Sequence, residues 1–212
     1  MKQYHLSTPI RPEDVKDITI GDIVYLDGLL VTGRDDVHQR VVKQGKPSPV
    51  DLEGGAIFHA GPIMKPIGTK TDADGNEVTQ YQVISIGPTT SMRMNAYEAE
   101  YIEKTGVRLI VGKGGMGDKT VEGCKKGMAL HTVFPGGCAV LAAKCVEEVS
   151  GVEWLDLGMP EAMWVMKVKN FGPLIVSIDT KGGNLFENNK KIFNERKGPI
   201  VERISKEVDF LD

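Results

Sequence analysis

Cysteine is scarce in this sequence: Cys124, Cys138 and Cys145 are the three thiols in 212 residues. None forms a Cys-x-x-Cys pair, so no metal knuckle or cluster loop is visible and no metal ligand set is expected. A four-iron cluster takes about four thiolates at loop spacings, more than this chain offers alone. Cys138 and Cys145 sit in one apolar helical run and are expected to face the core. Long hydrophobic runs are also missing. No stretch reaches the roughly 18 residues of a membrane helix, and Met1-Lys2-Gln3-Tyr4-His5 has no apolar signal core. A cytoplasmic protein is the expectation. Nor is there a basic excess: 26 Lys and Arg face 29 Asp and Glu, a net charge of -3. Nothing is left to neutralise a nucleic-acid backbone, so neither nucleic acid nor membrane is an expected partner.

Hydrophobic residues at 41% and charged residues at 26% are ordinary globular usage, which excludes a disordered chain. The length suits one domain with a small appendage. Strand and helix signals alternate. Asp22 to Leu26 and Leu29 to Thr32 read as two short strands about Asp27-Gly28, a hairpin signal. Asp35 can cap a helix whose Val37, Val41 and Val42 form an apolar stripe, with His38 beside it as a partly buried structural histidine. Ala56 to Ala60 is a strand, and Lys70 to Thr79, with Asp74-Gly75-Asn76 at its tip, an exposed ribbon. Tyr81 to Ile86 is a strand, Asn95 to Lys104 a helix and Leu109 to Val111 a buried strand. A helix runs through Val121, Ala129 to Val133 is a strand, and Cys138 to Val146 is a helix. Ala162 to Val168 and Leu174 to Ile178 are strands, Asp179 to Asn184 a turn, and Leu185 to Asp212 forms surface helices. The alternation predicts an α/β layer with parallel strands, whose carboxyl ends share one edge. Segments starting at Thr89, Gly112 and Phe134 can converge there.

The densest stretch is Ile84-Ser85-Ile86-Gly87-Pro88-Thr89-Thr90-Ser91-Met92-Arg93-Met94. Gly-Pro stops a strand, and Thr90 or Ser91 can cap the helix that follows. Such a junction gathers free N–H groups, which favours an anion, and Arg93 adds a fork of donors suited to a carboxylate. Arg34 precedes a helix start, where the dipole does not help a cation. Lys113 stands on a glycine loop. Three cations and the Thr89 hydroxyl suit a small dicarboxylate. A threonine is a poor base unaided, and no Asp or Glu stands in an obvious partnering position, so the chemistry looks incomplete and points to a partner subunit. Residues 112 to 117 match Gly-x-Gly-x-x-Gly. A dinucleotide site also needs an acid at the end of the next strand, around His131 to Phe134, and none occurs. A phosphate P-loop fails because Lys113 is followed by Gly.

Taken together, Gly33-Arg34-Asp35-x-x-His38, Gly61-Pro62, Gly87-Pro88-Thr89-Thr90-x-x-Arg93-Met94, Gly112-Lys113-Gly and Gly136-Gly137-Cys138-Ala139 resemble the β subunit of class I, iron–sulfur fumarate hydratases. The β subunit of L(+)-tartrate dehydratase is the same kind of module. Leu157 to Trp164 and Asp179 to Gly182 continue the likeness, which covers roughly Thr8 to Phe186. The resemblance implies a swivelling β/β/α domain over residues 1–186, a layered α/β sheet with flanking helices, and 187–212 as its helical extension. It implies that Arg34, Arg93 and Lys113 bind substrate carboxylates and that Thr89 is a catalytic base paired with an aspartate of the α subunit. A [4Fe-4S] cluster is implied on that iron–sulfur α subunit and not on this chain, with fumarate and malate as ligands and homodimerisation of this chain as a further partner expectation. Two departures bear on the substrate. Ser91-Met92 and Asn95 stand where the single-chain form has Ala-Gly and Asp, and Gly114-Gly115-Met116 replaces Gly-Asn-Arg. The expected activity is hydration of fumarate. Tartrate dehydration is the runner-up, a stand-alone dicarboxylate-binding module is an alternative from another class, and a nicotinamide-dependent oxidoreductase is a distant third.

Overall fold

A computed structural model of the chain describes residues 1–71 and 75–208. Its elements in order are β1 (Gln3–Ser7), α1 (Pro12–Val15), β2 (Ile23–Thr32), α2 (Asp35–Val42), β3 (Ala56–Phe58), β4 (Ile63–Thr71), β5 (Glu77–Ser85), a 3₁₀ turn (Ser91–Met94) and α3 (Glu98–Thr105). Then come β6 (Leu109–Gly112), α4 (Asp118–Gly127), β7 (Leu130–Val133), α5 (Ala139–Lys144), β8 (Val146–Glu153), a 3₁₀ turn (Leu155–Leu157), β9 (Met163–Ile178) and α6 (Leu185–Glu207). No helix among the described residues is long and apolar enough to cross a membrane.

Seven strands form one sheet in the order β1-β2-β3-β6-β7-β9-β8, and β2 also pairs with β9. The extra pairing curls the sheet into a barrel of β2, β3, β6, β7 and β9. The contacts β2–β3, β3–β6 and β6–β7 are parallel, while β9 meets both β7 and β2 antiparallel. Alternation along the strands sorts side chains onto two faces. Ala56, Phe58, Leu109, Val111 and Leu130 point into the barrel with Trp164 and Phe171. Ile57 and Ile110 point outward under Val37 and Val41 of α2, Tyr101 and Ile102 of α3, and Val121 and Cys124 of α4. Strands covered on both faces read as continuous apolar runs, which is how Leu109-Ile110-Val111 appears in the sequence. This is the expected α/β architecture, a curled sheet with flanking helices.

Several local expectations change. Asp27-Gly28 is no hairpin turn: β2 is continuous through it, with a bulge against β9 between Leu26 and Gly28. Asp27 instead accepts hydrogen bonds from Lys169 Nζ and the Asn170 N–H. Gly28 has φ +99°, and any Cβ there would collide with Thr8. The two strands expected at 162–168 and 174–178 are one, β9, bent by register shifts. β8 was not expected. Its core-facing Val146, Val149 and Val152 recur every third residue because two bulges interrupt the pairing with β9, and this erases the strand period. Cys138 and Cys145 flank α5 half-buried, and Cys124 is the fully buried thiol. The ribbon is present as β4–β5, paired from Ile63–Ser85 to Thr71–Glu77, and its Asp74 tip lies outside the described residues. The C-terminal segment is one helix, α6, whose start is capped by Asn184 accepting from the N–H groups of Phe186 and Glu187. Its expected continuation to Asp212 also lies outside the described residues beyond 208.

Gly28→Ala is expected to destabilise the chain by about 1–3 kcal/mol, since both the backbone sign and the Thr8 contact oppose a side chain. Urea unfolding reads this out. An unchanged midpoint would show that the bulge does not depend on that contact.

Candidate functional site

The carboxyl ends of the parallel strands β2, β3 and β6 share one rim. The Gly33 N–H donates to Phe58 O and the His59 N–H to Val111 O, so the three exits are tied together (3.0 and 2.8 Å). Arg34 leaves β2 here as the residue before α2. Asp35 is the first residue of that helix and not its cap; Arg34 holds the cap position. The unfavourable helix-end charge of Arg34 is offset from within the chain. Its Nε lies 2.6 Å from Glu161 Oε1 and 3.9 Å from Asp35 Oδ2. The other oxygen of Glu161 accepts from the Asp36 N–H at 3.1 Å, in the first turn of α2. A Cβ at residue 61 would strike the Arg34 guanidinium and the Pro160 carbonyl, so Gly61 lets the guanidinium lie close to the backbone.

Thr89, Arg93 and Lys113 reach the same rim. The Thr89 N–H donates to His59 O at 2.6 Å. Thr90 bridges to Lys113, the Ser91 N–H donates to Lys113 O at 3.0 Å, and the Lys113 N–H donates to Ser91 Oγ at 3.2 Å. Arg93 projects from the 3₁₀ turn and pairs through Nε and Nη2 with the Asp35 carboxylate. Asp35 therefore lies between Arg34 and Arg93. Burial pushes its carboxyl up, but the Arg93 hydrogen bonds and charge outweigh that and hold it below the usual carboxylate range. Burial moves Glu161 the other way, above its usual range. Among the described residues Lys113 makes no ion pair; its stem passes 3.5 Å from where a Cβ of Gly136 would stand. The loops after β5, β6 and β7 thus converge as expected. A groove of about 920 Å³ between α3 and α4 contains none of these four residues.

The expected pool of free N–H groups is reduced. The N–H groups of Thr89, Ser91 and Arg93 are spent on carbonyls, and the turn from Ser91 is a four-residue 3₁₀ segment without a side-chain cap. Three of the glycines of 112–117 are explained by packing, and Gly114 by its φ of +77°. A Cβ on Gly112 would collide with Ser91 Oγ, one on Gly115 would press on Phe186, and one on Gly117 would crowd Asn95, whose Oδ1 accepts the Gly117 N–H.

Beneath the rim lies a polar cluster that sequence reasoning missed. His38, His59 and Glu98 have no exposure. His38 Nε2 is 3.4 Å and His59 Nε2 is 3.1 Å from the same oxygen, Glu98 Oε2. The other nitrogen of His38 faces Arg34 O at 2.9 Å, and that of His59 faces Ser91 Oγ at 3.0 Å. Burial opposes ionisation of Glu98, but His59 and His38 outweigh it and hold the carboxyl well below the usual range. Burial pushes the His59 ring down, against the pull of Glu98, and pushes the Tyr101 hydroxyl up, with Glu98 adding to that shift. Nothing local distinguishes Glu98 from Glu100 and Glu103 on the same helix. The one available signal was His38 standing four residues after Arg34, a spacing that returns its ring to the Arg34 carbonyl. These three side chains are also the set that could hold a metal ion among the described residues, with ligand atoms within 4.8 Å of one another. The three cysteines form no such set there.

Comparison with known proteins defines the class, a hydro-lyase subunit. A family model described as "Fumarase C-terminus" matches residues 1–189. The chain is 56% identical to the L(+)-tartrate dehydratase subunit beta of Escherichia coli K12 over 206 residues, 97% of this chain and 98% of that protein. It is 43% identical over 191 residues to a Methanocaldococcus jannaschii protein provisionally named L(+)-tartrate dehydratase subunit beta, covering 88% and 93% of the two chains. A Geobacillus stearothermophilus protein provisionally named fumarate hydratase class I is 37% identical over 199 residues, 94% of this chain but 36% of that longer protein. The chain belongs to the fumarase C-terminus family.

His131, buried against Ser177 Oγ at 2.5 Å, has its ring pushed down to about 3 by desolvation and by His59. The unfolded chain takes up that proton near pH 6.5 and the folded chain does not, so stability falls as the pH drops from about 6.5 towards 3. The slope from this one group reaches about 1.4 kcal/mol per pH unit. Loss of the Glu98 charge deepens the fall below the ordinary glutamate range near pH ~4.3. Urea unfolding at pH 7, 6 and 5 is expected to give a flatter dependence for His131→Gln. An equal slope in wild type and variant would contradict the assignment.

Proposed function

We propose that this chain is the cation-bearing β subunit of a two-subunit iron–sulfur hydro-lyase acting on L(+)-tartrate. The observation that carries the reading is 56% identity across nearly the whole of a tartrate dehydratase β subunit, together with Arg34, Thr89, Arg93 and Lys113 on one rim. This reverses the order of substrates expected from motifs alone.

In this reading the guanidinium forks of Arg34 and Arg93 and the ammonium of Lys113 take the two carboxylates of the hydroxy acid. Arg93 must exchange Asp35 for a substrate oxygen, so apo and bound positions differ. Thr89 takes the proton from the substrate carbon, its hydroxyl activated by an aspartate of the α subunit. Loss of hydroxide from the adjacent carbon then leaves an enol that becomes oxaloacetate, and water is the second product. Cys124, Cys138 and Cys145 are not gathered, so the chain does not fit a [4Fe-4S] cluster. That cluster is assigned to the α subunit, where it supplies a Lewis acid for the departing hydroxyl. Fumarate hydration is the second reading, favoured by the 37% identity to the protein provisionally named fumarate hydratase class I.

The chain reconstituted anaerobically with its iron–sulfur α subunit is expected to form oxaloacetate from L(+)-tartrate faster than it interconverts malate and fumarate. The reverse preference selects the second reading. No turnover of either, with the cluster intact, rejects both. Thr89→Ala is expected to lower kcat about 10²–10³-fold, the range of a lost general base. Lys113→Ala is expected to act mainly on KM, raising it about tenfold. Tight dicarboxylate binding by the chain without its partner would favour a stand-alone binding module instead.

A further inference from the structure

Each of the four rim residues is tied to the buried cluster below it. His38 Nδ1 meets a carbonyl, Arg34 O, and must carry a hydrogen to bond it. His59 contributes its own carbonyl to the Thr89 N–H and its ring to Ser91 Oγ. Ser91 Oγ already accepts the Lys113 N–H, so its own hydrogen is free to go to His59 Nδ1. That leaves the His59 hydrogen on Nε2, facing Glu98. Ser91 also opens the turn that carries Arg93. Both rings end on one oxygen, Oε2 of a carboxylate with no exposure.

Because the carboxylate has no exposure, its charge is answered from within the protein, and the two rings that reach Oε2 come from different elements.

We infer that Glu98 is the positioning residue of the site, sharing one carboxylate oxygen between the His38 and His59 rings and so fixing where Arg34, Thr89 and Lys113 stand on the rim. The inference rests on the reading that this rim grips the substrate carboxylates. An amide keeps the size of the carboxylate but removes the charge that both rings face. Removing the Ser91 hydroxyl cuts the side-chain link between His59 and the Lys113 N–H, keeps the backbone bond from the Ser91 N–H to Lys113 O, and leaves the buried charges in place.

The test uses Glu98→Gln and Ser91→Ala in the reconstituted two-subunit enzyme, with metal analysis of the full chain. Both variants are expected to raise KM for the hydroxy acid about tenfold, and Glu98→Gln, which also loosens the His59 hold on Thr89, is expected to lower kcat as well. A merely structural Glu98 would lower the melting temperature without these kinetic changes. Unchanged KM in both folded variants, with wild type active, overturns the inference, and so does one equivalent of divalent metal bound to the chain. If wild type turns over neither tartrate nor malate, the functional reading is what fails. If Glu98→Gln does not fold, Ser91→Ala decides.

Discussion

A carboxylate without exposure must be matched within the protein or it costs several kcal/mol. Glu98 is matched from two sides, by rings that come from different elements: His38 from α2 and His59 from the end of β3. α2, α3 and the β3 exit cannot move independently without breaking that match. The constraint reaches the surface because each ring also bonds something that belongs to the rim. The rim is thus held from below by charge and hydrogen bonding, while the hydrophobic barrel holds it from the side. That division suits a site that must present several cations together, since like charges left on mobile loops would drift apart.

The rim also shows how a free subunit tolerates its own charges. Arg93 rests on Asp35, and Arg34 lies against Glu161 and Asp35. These pairs offset helix-end and like-charge repulsion until a ligand arrives. Because the pairs are partly exposed, little is lost in the proposed function when a substrate carboxylate takes the place of the protein's. Lys113 makes no ion pair among the described residues. In the proposed function a site built from cations and one hydroxyl binds an acid but does not complete a dehydration, and the remaining chemistry comes from the partner chain.

Much of this was legible in the sequence, and the failures have physical causes. The buried strands Leu109–Gly112 and Leu130–Val133 and the helix Asp35–Val42 were readable because apolar periodicity and element agree. The convergence of loops at one sheet edge followed from the alternation of strand and helix. Bulges defeated the rest. Gly28 mimics a hairpin because a bulge and a turn both need positive φ, and β8 hides its period behind two register shifts. The four candidate residues were legible as residue types: Thr89 and Arg93 after Gly-Pro, Lys113 in Gly-Lys-Gly and Arg34 before a helix start. Their support was not, because Glu98 has no local pattern and its partners lie 60 and 39 residues away in sequence. Asp35, read as a helix cap, is an ion-pair partner, and Ser91, read as a cap, is a link between His59 and Lys113.

The central claim is that this chain supplies the carboxylate-gripping half of a hydro-lyase site that a second subunit completes. The most direct measurement is the structure of the anaerobic two-subunit complex with L(+)-tartrate bound. The account predicts substrate carboxylates on Arg34, Arg93 and Lys113, with Arg93 released from Asp35 and the Thr89 hydroxyl facing the substrate carbon. A substrate held wholly by the partner, with Arg93 still on Asp35 and Lys113 in solvent, would contradict it.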